Sequence, residues 1–357
     1  MSKTKLELVL KKKKEISFSD YMEFILFDRD VGLYENEEVL GEKGHFITSP
    51  LVSKQFSYCI AKHYIKESTL GNIVELGGGD GSLACDLLLY LKAKKKLPKK
   101  YIFFEKSNYL IKKQKSIIIE KSIDDLVDVS WISDLDDLPS EAFVISNELF
   151  DCIPTDIIKH VNKGYQKAYI NDDYEINWRE FHFESESAIQ YLGLPKDLPQ
   201  NYIFEYSCSQ RKIINDISKV LKRSCFLIFD YGYTSSELYL KDRMLGTLTC
   251  IKNHITDFDP LSDDGVKDIS AFVNFTYLKN IFCDNSWDVE AFMNQANYLI
   301  NFDILNETDI NNIDEINSVK KLIMPNHMGE LFKVLIVKKN IDKSDENYFM
   351  KNDIIKL

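Results

Sequence analysis

The fold is decided by the stretch Val74-Glu75-Leu76-Gly77-Gly78-Gly79-Asp80-Gly81. It closes a short apolar run that begins at Asn72, and leucines at helical spacing follow it between Ser82 and Leu91. This order predicts a strand, a tight glycine turn and a helix. Glycines suit such a turn because the backbone bends sharply and a ligand can approach without meeting a Cβ atom. The free N–H groups at the start of the helix favour a carboxylate or a phosphate.

Strands and helices alternate along the chain beyond this turn. Further strands are predicted from apolar runs at 101–104, 129–132, 142–146 and 226–229, and further helices near 108–120 and 207–222. This alternation predicts an α/β fold with a parallel sheet. Two late strands, near 287–292 and 331–337, predict an antiparallel pair at the sheet edge.

The chain is predicted to have five segments. They are an N-terminal helical extension that contributes to the ligand pocket (1–70), the first half of the α/β core (71–154), an inserted β-rich segment (155–205), the remainder of the sheet (206–340) and a polar C-terminal tail (341–357). Residues 233–270 carry few periodic signals. A loop of that length in a compact enzyme is usually a lid or a binding segment, so we expect it on the substrate side.

Polar side chains follow several predicted strands at the point where each strand ends. Glu105 ends the second strand, 24 residues after Gly81, and Asn147 and Glu148 end the fourth. Open α/β sheets bind ligands at the carboxyl ends of their strands, and an acid at the place of Glu105 can accept both hydroxyls of a ribose. The sequence therefore predicts a nucleoside site at this edge of the sheet.

Two nucleotide ligands are compatible with the glycine turn. The run from Gly79 to Ala84 can be read as G-x-G-x-x-A, a dinucleotide signature that indicates a nicotinamide-dependent oxidoreductase. The spacing E-x-G-x-G-x-G, from Glu75 to Gly81, instead resembles the first motif of Rossmann-like methyltransferases, in which the amino-acid end of S-adenosylmethionine lies over the glycines. We favour the methyltransferase because Glu75 has no role in the dinucleotide pattern. A structural turn that binds no ligand is the remaining alternative.

Composition and charge limit the classes of function. The chain has 357 residues and a formal net charge of −11, so binding of nucleic acid through a broad basic face is not expected. Its seven cysteines form no C-x-x-C pair and its six histidines show no metal-binding spacing, so no metal site is predicted. No apolar run approaches the roughly 20 residues of a membrane helix. The N-terminal lysines lack the features of a signal or transit peptide, so a cytoplasmic protein is predicted, with its oligomeric state left open.

Several further runs match one known family over most of the chain. They are Ile16–Met22, Gly32–Tyr34, Gly44–Pro50, Phe104–Ser107, Ser146–Pro154, Asp230–Gly232, Gly246–Leu248, Asp268–Phe275 and Met328–Val334. With the glycine motif, they make the chain resemble the MidA family, methyltransferases related to the mitochondrial complex I assembly factor that methylates an arginine. The runs Ile-Thr-Ser-Pro, from Ile47, and Asn-Glu-Leu-Phe-Asp, from Asn147, are the most specific.

The resemblance implies a Rossmann-like, seven-stranded class I methyltransferase sheet, with inserted segments that cover the active site. It implies that S-adenosyl-L-methionine is the cofactor and that the partner is a protein substrate with an acceptor arginine, a respiratory complex subunit being one candidate. The strand-end pattern and the resemblance together predict the cofactor-binding residues, which are Thr48, Ser49, Pro50, Glu75, Gly77, Gly78, Gly79, Gly81, Glu105 and Asn147.

The resemblance places the block from Asn147 to Asp151 at the methyl-transfer site. An arginine guanidinium stays protonated, with its charge spread over three nitrogens. A carboxylate that grips two of them holds the plane and concentrates the charge away from the attacking nitrogen. Glu148 and Asp151 are the predicted grip; their structural alternatives are a helix cap and a pairing with a backbone N–H. His254, in the long loop, is a third candidate, as a proton relay or a substrate contact, or else a surface histidine.

Positions on the acceptor side depart from the family pattern. The family has Asp, Glu, Arg, His and Asp where this chain has His45, Leu51, Thr249, Phe272 and Asn274. The glycine motif and the Asn-Glu-Leu-Phe-Asp block are intact, so cofactor binding is retained in the prediction. A protein arginine methyltransferase is predicted, with a non-catalytic cofactor-binding assembly module and a nicotinamide-dependent oxidoreductase as the alternatives.

Overall fold

The computed structural model describes residues 2–36, 41, 44, 47–67, 69–162, 164–252, 254–262, 267–342 and 348–357. Among the departures named above, His45 lies outside the described residues. The helices are α1 Ser2–Lys13, α2 Phe18–Phe27, α3 Leu33–Asn36, α4 Ser49–Val52, α5 Lys54–Lys66, α6 Ser82–Ala93, α7 Asn108–Glu120, α8 Glu186–Leu192, α9 Cys208–Val220, α10 Ser235–Leu238, α11 Phe275–Asp284, α12 Gln295–Asn301, α13 Ile313–Ile323 and α14 Met328–Leu331. The strands are β1 Glu15–Ser17, β2 Asn72–Leu76, β3 Lys100–Phe104, β4 Asp128–Ile132, β5 Glu141–Asn147, β6 Asp156–Val161, β7 Gly164–Asn171, β8 Ile176–Phe181, β9 Ile203–Tyr206, β10 Arg223–Tyr233, β11 Thr249–Lys252, β12 Ile255–Asp257, β13 Asp268–Ser270, β14 Val273–Asn274, β15 Asp288–Asn294 and β16 Phe332–Lys339.

The chain divides into two compact units. The sheet unit comprises Ile47–Leu149, Ile214–Gly232 and Phe282–Leu357. The insert unit comprises Met1–Phe46, Phe150–Ile213 and Tyr233–Ile281. The predicted N-terminal extension, 1–70, is thus shared between the two units, and the five predicted segments stay predictions.

The sheet unit is built on strands in the order β15-β16-β10-β5-β2-β3-β4. The five strands from β10 to β4 are parallel to their neighbours, whereas β16 runs antiparallel to both β10 and β15. The predicted α/β class with a mostly parallel sheet is confirmed. The strand order reverses at β2, because β3 and β4 lie on one side of it and β5 and β10 lie on the other. Sheets of this kind bind ligands at the carboxyl ends of the strands where the order reverses.

Apolar side chains from both sequence halves form the core of the sheet unit. Phe56 of α5 and Leu87 of α6 belong to one buried cluster with Phe143 of β5 and Leu227 of β10. Burial of each such side chain contributes about 1.5–3 kcal/mol, which fixes the strand register against the helices. The strand ends that carry the polar residues are therefore held by a rigid frame.

The insert unit contains two antiparallel sheets. One has the order β1-β7-β6-β9, with β8 also paired to β7, and the other has the order β12-β11-β13. Helix α2 begins where the Ser17 hydroxyl accepts a hydrogen bond from the Asp20 N–H, which is an ordinary N-cap. The region 233–270, predicted as a long loop, contains α10 and the second of these sheets. Its short strands lacked a periodic pattern long enough to recognise.

Candidate active site

The glycine turn follows β2 and leads into α6. Gly77, Gly79 and Gly81 have φ values of 68°, 53° and 90°, the left-handed region that glycine adopts without strain. A Cβ on Gly78 would lie 2.5 Å from Cδ1 of Phe103, so this position accepts no larger residue without a shift of the ring. The Gly77 N–H donates to the Phe104 carbonyl over 3.0 Å and ties the turn to the end of β3.

Asp80 stabilises the start of α6. The Ser82 N–H donates to Asp80 Oδ1 over 2.9 Å, and the Ser82 hydroxyl donates to Oδ2 over 3.0 Å. These contacts close the turn through a side chain that sits two residues before its partner. Asp80 is therefore a structural residue of the turn.

Glu105 lies directly after β3 and is buried. Its Oε1 accepts hydrogen bonds from the N–H groups of Lys106 at 2.9 Å and Ser107 at 3.0 Å. Two backbone donors stabilise the ionised carboxylate and set its direction. The predicted ribose acid thus has a fixed orientation beside the glycine turn.

Glu75 lies in β2, two residues before the first glycine of the turn. Its side chain is buried, and Oε2 accepts a hydrogen bond from the Tyr101 hydroxyl over 2.6 Å. Burial raises the pKa of the Glu75 carboxyl to about 8, so a proton remains on it near neutral pH. Through this hydrogen bond Glu75 links β2 to Tyr101 of β3. A direct contact between Glu75 and a cofactor stays a prediction.

Asn147 and Glu148 end β5. Glu148 has a φ of 52°, and its N–H donates to the Phe229 carbonyl over 2.9 Å. Non-glycine residues in this conformation are uncommon and cluster at functional sites. Glu148 Oε1 accepts hydrogen bonds from the Ser49 N–H and from Asn147 Nδ2, both at 3.0 Å. The capping role named as an alternative for Glu148 is therefore present, because Ser49 begins α4.

The Thr48-Ser49-Pro50 run reaches the same edge through that contact. Ser49 is fully buried, and its hydroxyl donates to Gln295 Oε1 over 3.1 Å. Thr48 is the N-cap of α4 and Pro50 occupies its first turn. The carboxylate of Glu148 thus holds the segment that the sequence predicted to lie near the cofactor.

The donors and acceptors at this edge suit S-adenosylmethionine. Asn147 Oδ1 is buried, and within the described residues it has no hydrogen-bond partner. A buried acceptor without a partner costs about 1–3 kcal/mol, so an ammonium group is a favourable ligand for it. Glu105 offers a carboxylate to ribose hydroxyls. The residues present therefore fit the amino-acid end and the sugar of the cofactor.

Two of the predicted acceptor-side residues, Asp151 and His254, belong to the insert unit. The Asp151 carbonyl accepts a hydrogen bond from the Ala271 N–H over 3.0 Å. Burial, with Asp151 nearby, raises the pKa of the Asp268 carboxyl to about 7, and the Tyr34 hydroxyl donates to Asp268 Oδ1 over 3.1 Å. His254 is exposed, with a φ of 62°, between β11 and β12.

Sequence reasoning missed Asp268 and Glu205 as organising acids of the insert unit. Glu205 is half-buried and accepts hydrogen bonds from the N–H groups of Thr247 and Leu248, at 2.6 and 3.1 Å. The Phe272 N–H in turn donates to the Thr247 hydroxyl over 3.0 Å. A lone Glu in a short strand gives no signal of such distant partners.

The side chains at two of the departures make hydrogen bonds. Thr249 donates to the Thr247 carbonyl over 3.1 Å, and Asn274 donates to the Leu192 carbonyl over 2.9 Å. Leu51 lies half-buried in α4. These contacts hold loops in place, and the effect of the substitutions on substrate choice stays a prediction.

One group of possible metal ligands occurs among the described residues. Ligand atoms of His63, Glu67 and Cys225 lie within 4.8 Å of one another. Lys338 Nζ is 2.8 Å from Glu67, so a positive charge already compensates this carboxylate. The group gives no reason to add a metal to the proposed chemistry. In the part of the chain that the structure describes, no helix is both long and apolar enough to cross a membrane.

Comparisons with known proteins show which family the chain resembles. Residues 57–293 match the family model of S-adenosyl-L-methionine-dependent methyltransferases. The chain is 25% identical over 360 residues to the mitochondrial protein arginine methyltransferase NDUFAF7 of Bos taurus, covering 90% of this chain and 79% of that protein. It is 25% identical to the mitochondrial NDUFAF7 homolog of Drosophila melanogaster, covering 74% of this chain and 66% of that one.

One solved structure is similar to that of this protein over almost the whole chain. It is a COG1565 superfamily member from Burkholderia thailandensis with S-adenosyl-homocysteine bound, 26% identical, with a TM-score of 0.87 and coverage of 98% of this chain and 95% of that one. The predictions of the cofactor and of methyltransferase activity are confirmed, and the oxidoreductase and non-catalytic alternatives are not supported. The prediction of a cytoplasmic protein is wrong, because the curated relatives are mitochondrial.

Proposed function

Because the chain belongs to the family of S-adenosyl-L-methionine-dependent methyltransferases that its sequence matches, we propose that it methylates an arginine side chain of a protein. The similarity to a protein arginine methyltransferase over 90% of the chain carries this proposal. The intact block from Asn147 to Asp151 supports it, since it supplies carboxylates where a methyl acceptor is expected. The relatives' mitochondrial location supports a mitochondrial site of action, with a respiratory complex subunit as the candidate substrate.

Residues at the cofactor edge are proposed to bind and orient the cofactor. S-adenosylmethionine, when bound, supplies an electrophilic methyl group on a sulfonium. Gly77, Gly79 and Gly81 leave room for its amino-acid end, Asn147 Oδ1 accepts from its ammonium, and Glu105 accepts from its ribose hydroxyls. Fixing two reactants in this way can supply several kcal/mol of barrier reduction, about 7 or more in favourable cases.

Glu148 is the carboxylate that we assign to the acceptor guanidinium. The left-handed backbone at this position and the Ser49 and Asn147 contacts fix the carboxylate direction. A fixed carboxylate orients the guanidinium plane and draws its positive charge toward the gripped nitrogens, so that the third nitrogen becomes the better nucleophile. Asp151 and His254 are proposed to contact the acceptor segment.

The proposal is tested by identifying the methylated amino acid. Purified protein is incubated with methyl-labelled S-adenosylmethionine and an extract of mitochondria, and the labelled protein is hydrolysed to amino acids. We expect the label on methylarginine. Label on lysine, on a carboxylate or on a small molecule would reject the arginine assignment while leaving the methyltransferase family intact.

A further inference from the structure

Gln114 is a polar residue on the buried face of α7, where the neighbouring buried side chains are apolar. The buried residues of α7 are Leu110, Gln114 and Ile118, spaced four apart on one face of the helix. Gln114 has no exposed surface. A buried amide is unfavourable unless its polar groups are all hydrogen-bonded, so such a residue requires specific partners.

All of those partners lie at the cofactor edge of the sheet unit. Gln114 Nε2 donates to the Gly79 carbonyl over 2.9 Å and to Glu105 Oε2 over 3.3 Å. Its Oε1 accepts from the Trp131 indole N–H over 2.9 Å. An indole N–H can only donate, so it identifies which amide atom is the oxygen and leaves both N–H groups for the turn and the acid.

The Trp131 end of this chain of contacts is itself fixed by packing. Its ring stacks on Phe103, with centroids 5.4 Å apart and planes 11° from parallel. The turn also packs against the amide, since a Cβ on Gly78 would lie 3.3 Å from Gln114 Nε2. The side chain therefore has one orientation available, in which it bridges two loops that follow different strands.

We propose that Gln114 is a positioning residue that directs Glu105 Oε2 toward the ribose of the cofactor. Backbone N–H groups hold Oε1, and Gln114 donates to Oε2 and so links it to the glycine turn. A carboxylate oxygen with a fixed direction accepts from a ribose hydroxyl only where that hydroxyl is correctly placed. Selectivity for the 2′-hydroxyl is then a property of Gln114 acting through Glu105. This inference rests on the proposed role of Glu105.

The test compares binding of S-adenosylhomocysteine with binding of its 2′-deoxyribose analogue by calorimetry. Gln114→Met keeps the length of the side chain and removes its hydrogen bonds, Glu105→Gln tests the acid, and Lys112→Met alters an exposed residue of the same helix. We expect Gln114→Met to weaken S-adenosylhomocysteine binding about 10-fold and to reduce the preference over the deoxy analogue to within about 3-fold. Lys112→Met should keep the preference of the unmodified protein.

Two results separate the possible failures. If Gln114→Met retains the preference while Glu105→Gln loses it, Glu105 holds the ribose unaided and the inference is overturned. If Glu105→Gln also retains the preference, the proposed role of Glu105 is rejected, and the inference with it. Loss in both variants supports the inference.

A second variant adds a signature that a packing role would not produce. Gln114→Glu places two carboxyls together, and one of them should hold a proton at lower pH. The protonated partner can donate to the other, so S-adenosylhomocysteine affinity should rise about 10-fold between pH 8 and pH 5.5, while that of the unmodified protein stays within about 3-fold. A flat profile in Gln114→Glu would count against the inference.

Discussion

The buried carboxyl of Glu105, at the cofactor edge of the sheet unit, has different surroundings from that of Asp268, which lies near Asp151 in the insert unit. At the edge, Glu105 receives N–H donors from the next two residues along the chain. In the insert unit, Asp268 receives the hydroxyl of Tyr34, 234 residues away, and lies near a second acid, Asp151. Backbone donors keep a carboxylate ready to accept a ligand, whereas burial beside another acid favours the protonated form. The carboxyl of Glu105 is thus set up to bind a ligand, whereas that of Asp268 keeps its proton up to about pH 7.

The largest expected effects come from replacing two buried carboxyls whose pKa is raised, Asp268 and Glu75. Burial raises the pKa of Asp268 to about 7, so between roughly pH 4 and pH 7 the unfolded chain ionises while the folded one keeps its proton. Folding stability therefore falls as the pH rises through this window and levels off above it. Asp268→Asn should remove up to about 4 kcal/mol of this decline, measured as the free energy of unfolding in urea from pH 4.5 to 8. A parallel decline in the variant would show that Asp268 ionises normally.

Glu75→Gln extends the same experiment to the sheet unit. Burial raises the pKa of the Glu75 carboxyl to about 8. Its contribution to the fall in the free energy of unfolding should therefore continue to a pH about one unit higher than that of Asp268, and Glu75→Gln should remove it. The Gln side chain keeps an acceptor for the Tyr101 hydroxyl. The measurement is therefore extended to about pH 9.5. If the declines that the two substitutions remove end at the same pH, the pKa values of the two carboxyls do not differ.

Glu148→Gln is expected to have the next largest effect. The amide retains an oxygen for the Ser49 N–H but has no negative charge for the acceptor guanidinium. Loss of such an electrostatic contact in the transition state lowers turnover by about 10²–10³-fold. Methyl transfer and S-adenosylhomocysteine affinity should be measured on one preparation. Parallel losses of turnover and affinity would assign Glu148 to the helix cap and the cofactor edge alone.

Gly78→Ala should cost less, in stability. The added methyl group would meet the Phe103 ring at 2.5 Å, and overpacking of this kind costs about 1–3 kcal/mol. Gly71→Ala is the matched control, because its methyl group would meet only the flexible side chain of Lys99, at 3.0 Å. Urea denaturation compares the two. Equal stabilities would mean that the turn does not pack tightly against the Phe103 ring of β3.

The sequence predicted the regions in proportion to how local their contacts are. The strand, turn and helix around Gly77 could be recognised because their pattern is contained in a few consecutive residues, and Glu105 because it ends a strand. Gln114 left a faint signal, as a polar residue on the buried face of α7. Asp268 begins a run that matches the family, but neither its role nor that of Glu205 could be predicted, because their partners come from distant parts of the chain. The β11–β13 sheet was missed because its strands have only three or four residues.

The smallest expected effect is that of His254→Ala, and it tests whether the insert unit contributes to substrate binding at all. The side chain is exposed, so the free energy of unfolding should change by less than about 0.5 kcal/mol. If His254 contacts the acceptor segment, KM for the methylated protein should rise a few-fold while S-adenosylhomocysteine affinity stays the same. The matched control is Thr256→Ala, another exposed position of the 233–270 region. An unchanged KM would identify His254 as an ordinary surface residue and would leave Asp151 as the insert-unit residue proposed to contact the acceptor segment.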